Sequence, residues 1–166
     1  MSVPRFRNRS VRYDKCSAFV AGLYRKQPMR PYEIIDHTAD IGVVVRGASL
    51  EELFANAAYA FFDLQVGLES VGTAESREVV VEGDDLEQLM VRWLQQLLVL
   101  LEVEELVVSE FNIEQVDESG VRACVRGETL DPHRHELKGE IKAVTYHGLE
   151  VEETTQGWQA QIIFDV

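Results

Sequence analysis

Apolar positions in this chain shift between two spacings, and the shifts mark out two helices set among strands. Leu50, Leu53, Phe54, Ala57, Phe61 and Leu64 keep the steps of three and four that lay one apolar stripe along a helix. Ser49 and Glu52 stand before it as a capping box, in which the hydroxyl and the carboxylate satisfy orphan N–H groups. The pattern stops near Gly67. A longer stripe follows through Leu86, Leu89, Met90, Trp93, Leu94, Leu97, Leu98 and Leu101, with Asp84 and Glu87 as its acidic cap. Its other face, with Arg92, Gln95, Gln96 and Glu102, carries no basic belt, so the stripe is expected to pack on a sheet rather than lie on a membrane.

The strands are shorter. Tyr32-Glu33-Ile34-Ile35, Gly42 to Gly47 and Val79-Val80-Val81 read as three of them. Four more candidates, rich in Val, Ile and aromatic residues, run from Leu106 to Glu114, Gly120 to Gly127, Gly139 to Val151 and Trp158 to Asp165. Turn residues separate these four and no helix intervenes, so hairpins should connect them. The expectation is an α+β single domain, with two main helices packed on one face of a mostly antiparallel β-sheet. Residues 1–28 have no periodicity and read as a flexible basic extension, with Met29 as the functional start of a domain spanning 29–166. An organelle transit segment is the other reading of that start.

Composition sharpens this. The chain has 166 residues and 46% apolar content, enough for one core, and no apolar run approaches membrane-spanning length. Net charge is −13; residues 1–28 carry +6, so the remainder carries −19. Such a body repels phosphate backbones, which argues against direct nucleic-acid binding and suits a basic protein partner or divalent cations. Two cysteines, Cys16 and Cys124, are too few for a disulfide framework and fit a reducing cytoplasm, with Cys124 read as a small core residue.

Chemistry gathers in a few places. Asp36-His37-Thr38-Ala39-Asp40 sets ionisable groups on the connection between two strands. Asp40, Asp165 and the terminal carboxylate of Val166 are hard oxygen ligands suited to Ca²⁺, Mg²⁺ or Mn²⁺, although spacing alone equally fits solvated carboxylates at strand ends. In Asp131-Pro132-His133-Arg134-His135 the two histidines would share a strand face, but with no third soft ligand nearby a polar loop is the simpler reading. Lys142 and His147, five apart, would fall on opposite faces of an ideal strand. No nucleotide-binding, hydrolase or zinc motif occurs.

Several separated stretches together resemble one family. His37-Thr38-Ala39-Asp40-Ile41-Gly42, the capped Ser49-Leu50-Glu51-Glu52-Leu53-Phe54, the helix with Trp93-Leu94, Lys142-Ala143-Val144-Thr145-Tyr146-His147 and the ending Ile163-Phe164-Asp165-Val166 look like the archease family, from about Tyr32 onward. The resemblance implies a protein cofactor rather than an enzyme, with no catalytic residues of its own. Archeases assist the RtcB-type RNA ligase of tRNA splicing and RNA repair, promoting its guanylylation by GTP and multiple turnover and broadening its choice of nucleotide. The family's metal site would fall on Asp40, Asp165 and Val166, and its late basic-plus-His position near Arg134 and His135; His37 and Lys142 are further candidates. The rival readings are a small metal-dependent phosphoester hydrolase with His37 or His135 as general base, and a metal-independent adaptor.

Overall fold

The computed structural model describes residues 11–12, 31–36 and 39–166. In chain order the elements are β1 (Val11–Arg12), β2 (Tyr32–Asp36), β3 (Ile41–Gly47), α1 (Leu50–Asp63), a 3-10 turn (Leu68–Ser70), β4 (Glu75–Glu82), α2 (Leu86–Glu104), β5 (Leu106–Asp117), β6 (Gly120–Thr129), β7 (Ala143–Val144), β8 (Glu150–Thr154) and β9 (Gly157–Asp165). The fold is α+β with antiparallel pairing throughout, as expected. The strands divide, however, into two sheets. One runs β1-β4-β6-β5; the other runs β2-β3-β9-β7, with β8 also paired to β9.

Two sheets explain how the helices are buried. α1 packs on β3 and β9 of the second sheet and on β5 of the first, while α2 touches β4, β5 and β6 on one side and β7 and β8 on the other. A helix lying on a single sheet buries one stripe. α2 also buries Val91 and Leu100, which the expected stripe omits, because it is covered from more than one direction. Trp93 is completely buried between the helices, and its Nε1–H donates to the Phe54 carbonyl at 3.0 Å.

Local chemistry sets the boundaries. The Ser49 hydroxyl accepts the Glu52 N–H at 3.2 Å, and α1 ends at Asp63, short of Gly67. The cap of α2 is Asp85 rather than Asp84: its carboxylate accepts the Gln88 N–H at 2.7 Å, while the Gln88 side chain accepts the Asp84 N–H at 2.9 Å. The expected strand from Gly139 to Val151 is also broken. Only β7 and β8 pair there, separated by a turn in which Gly148 has φ +67, a conformation that disfavours any residue with a Cβ.

Loops are fastened from within. The buried Gln65 donates to the Phe61 carbonyl at 2.9 Å and accepts the Ile141 N–H at 3.0 Å, tying the end of α1 to the approach to β7. Cys124 is buried, as expected of a small core residue, and its sulfur is disulfide-bonded. Among the described residues, no helix is long and apolar enough to cross a membrane.

Candidate functional site

The antiparallel register of β3 and β9 brings two carboxylates together. Its last pair is Ile41↔Phe164, so Asp40, in the bend just before β3, and Asp165, the last residue of β9, lie beside that pair at the same end of the sheet. Asp165 is exposed and Asp40 partly so.

β7 completes this sheet end. Ala143 pairs with Asp165, and the Lys142 N–H donates to the Asp165 carbonyl at 2.7 Å. Lys142 is exposed and lies beside Val166 in register, one residue out of phase with Asp165. Asp40, Asp165, Val166 and Lys142 therefore converge on one edge of the molecule. His37 and Thr38 lie outside the described residues. Among the described residues, no three His, Cys, Asp or Glu side chains are grouped to hold an ion; this edge contributes two such side chains and Val166.

Arg134 and His135 belong to a different cluster, built on Glu128. One oxygen of Glu128, Oε1, meets the Arg134 guanidinium at 2.7 Å, the Gly72 N–H at 2.8 Å and His135 Nε2 at 2.8 Å. The Asp131 N–H donates to His135 Nδ1 at 2.9 Å, so Nδ1 is the acceptor and Nε2 carries the proton given to Glu128. The Arg134 hydrogen bond, then those of Gly72 and His135, hold the Glu128 carboxyl down to about 2. His135 is only 3% exposed, with both ring nitrogens engaged, and so is poorly placed to act as a general base. His133 is exposed, so the two histidines do not converge as a metal pair.

A third carboxylate, Asp63, is buried at the end of α1. Tyr32 donates to its Oδ2 at 2.6 Å, and Lys138 Nζ lies 3.3 Å from Oδ1 and 3.1 Å from its carbonyl oxygen. The cation also suits the negative end of the helix dipole. Neither Glu128 nor Asp63 stood out in the sequence. Their partners sit 56 and 75 residues away, as with Gly72 and Lys138, and no local spacing announces such pairs. A groove of about 550 Å³ opens at the opposite end of β3 and β9, lined by Arg46, Glu52, Asn56 and Trp158 among others, and none of the expected site residues borders it.

Fold and edge together define a small α+β domain with two carboxylates, Asp40 and Asp165, at one solvent-facing sheet end. The model of the Archease protein family (MTH1598/TM1083) matches residues 32–166. The protein archease of Methanosarcina mazei is 42% identical over 141 residues, covering 82% of this chain and 97% of that one. That of Pyrococcus abyssi is 44% identical over 142 residues, covering 83% and 100%. The solution structure of Methanobacterium thermoautotrophicum protein 1598 superposes with a TM-score of 0.71 at 32% identity, covering 83% of this chain and all of that one. The chain belongs to the archease family.

Proposed function

We propose that this protein is an activator of an RtcB-type RNA ligase in tRNA splicing and RNA repair, acting in the cytoplasm as a protein cofactor rather than an enzyme. In this reading it promotes guanylylation of the ligase by GTP, allows repeated turnover and broadens the accepted nucleotides. The observation that carries the reading is the Asp40 and Asp165 pair at one sheet end of an archease domain.

A divalent cation would suit that sheet end, where two carboxylates and Val166 lie close in sequence or register. The donors are all hard oxygens, which favours Ca²⁺, Mg²⁺ or Mn²⁺ over softer metals, with Val166 as the third protein ligand and water completing the shell. When bound, such an ion supplies the positive charge that orients and neutralises phosphate oxygens. Asp40 and Asp165 hold the charge at the rim, and Lys142 adds a cationic side chain to the same edge. The acidic body steers the domain toward a basic rim on the ligase, an attraction that weakens with salt.

Ligation of a 2′,3′-cyclic-phosphate RNA by limiting ligase, with GTP and Mn²⁺, tests the reading. Wild type should turn a single round into many, and Asp40→Ala should not. Folded wild type that leaves turnover unchanged would sink the activator role, and phosphoester release without the ligase would favour a hydrolase.

A further inference from the structure

Trp158 stands at the start of β9 and is only half-buried. Its register partner on β3 is Gly47. A Cβ on Gly47 would collide with the Leu53 nitrogen and lie 2.9 Å from the Glu52 carbonyl carbon, so the first turn of α1 rests directly on that glycine. Only a residue without a Cβ permits this approach, and it draws Glu52 and Trp158 to the same sheet end. Both line the groove of about 550 Å³ that opens there.

The polar groups of this groove are unequally committed. Arg46 is engaged, its guanidinium 3.4 Å from Glu33 and its Nε–H given to Gln159 Oε1 at 3.2 Å. Glu52 gives its backbone N–H to the Ser49 cap, but its partly buried carboxylate has no hydrogen bond or ion pair among the described residues. The Trp158 indole N–H likewise has no acceptor there, whereas that of Trp93 is satisfied by the Phe54 carbonyl. A carboxylate only accepts and an indole N–H only donates, so an occupant that answers both brings a cationic donor and an acceptor. An arginine residue within a peptide has the two together: a guanidinium that pairs with a carboxylate and is drawn to an indole face, and a backbone carbonyl. The volume lies in the range of small-ligand pockets, and the strongly acidic composition of residues 29–166 favours a basic occupant.

We propose that this groove is a docking site for an arginine side chain carried by an extended segment of a partner protein. Glu52 takes the guanidinium, Trp158 packs beside it and donates its indole N–H to the segment's backbone, and the exposed turn 154–156 borders the path by which the segment leaves. The site is six residue steps of β3, about 20 Å, from the end that carries Asp40 and Asp165. Occupancy therefore leaves those carboxylates open, and binding here does not depend on them.

NMR of the full chain tests this through the indole signals of Trp158 and of Trp93, which is completely buried and serves as the internal reference. The probe is a capped, glycine-rich peptide with one arginine; its counterpart carries citrulline, which keeps the shape without the charge. The arginine peptide should shift the Trp158 N–H saturably and leave Trp93 in place. Affinity should fall on the order of 10-fold for the citrulline peptide and for Glu52→Gln, a change the helix cap tolerates. Glu51→Gln removes an exposed carboxylate one residue away that does not border the groove, and should change nothing. No Trp158 shift at millimolar peptide, equal losses in the two glutamate variants, undiminished binding of the citrulline peptide, or free arginine binding as tightly as the capped peptide would each overturn the site.

Discussion

Glu128 and the pair Asp40 and Asp165 are chemically the same group in opposite surroundings. Glu128 is surrounded by donors: three reach a single oxygen, one from a cation, one from the backbone and one from a buried imidazole. Asp40 and Asp165 are brought to one end of the β3–β9 pair, Asp165 exposed and Asp40 partly so. A carboxylate whose needs are met inside the fold has little left to offer a ligand, and its worth is mechanical. Asp40 and Asp165 lie where the sheet end meets solvent, within reach of an ion or a partner. Well-partnered Glu128 therefore reads as structure, and the sheet-end pair as the edge proposed for function.

Substitution should separate the two. Asp40→Ala or Asp165→Ala should lower ligase stimulation at least ~10-fold, yet leave thermal stability within about 0.5 kcal/mol of wild type. Glu128→Ala should do the reverse. It strands the His135 and Gly72 donors, at a cost of about 2–4 kcal/mol in denaturant unfolding, while the folded fraction keeps its stimulation. If Glu128→Ala abolishes stimulation in fully folded protein, the division between mechanical and functional carboxylates fails.

Acid sharpens the same contrast. The Glu128 carboxyl is lowered from an ordinary 4.5 to about 2, so the stability it lends is complete above the ordinary value and is lost as pH falls from 4.5 toward 2. Unfolding followed across that window should show wild type losing stability more steeply than Glu128→Gln. Parallel curves would mean that the three donors do not favour the ionised form.

The sequence made the helices legible because their chemistry is local: an apolar stripe and a cap three residues apart can be read directly. Even there, Asp85 took the place of Asp84 because Gln88 supplied a reciprocal bond that the expected pairing with Glu87 omitted. The division into two sheets was hidden, since strand partners are chosen across the whole chain and β3 finds β9 more than a hundred residues later. Asp40 and Asp165 were identifiable as hard ligands, but only register could bring them to one sheet end. Glu128 and Asp63 gave no sign at all. Their meaning rests on Gly72, His135, Tyr32 and Lys138, whose proximity is a product of folding.

Asp63 provides the finest test, because it is more buried than Glu128 but meets fewer donors. Tyr32 supplies a short hydrogen bond to one oxygen and Lys138 a longer contact to the other. Tyr32→Phe keeps the ring and removes only the hydroxyl, so the loss should be about 1.5–2 kcal/mol, below that of Glu128→Ala, since Lys138 still neutralises the charge. Lys138→Met, with its long apolar stem retained, isolates the other contact. If both groups serve one carboxylate, the double variant should depart from additivity by at least about 0.5 kcal/mol, because each donor matters more once the other is gone. Strict additivity would show that Asp63 is held by its helix and the surrounding core, with Tyr32 and Lys138 acting as separate surface fasteners.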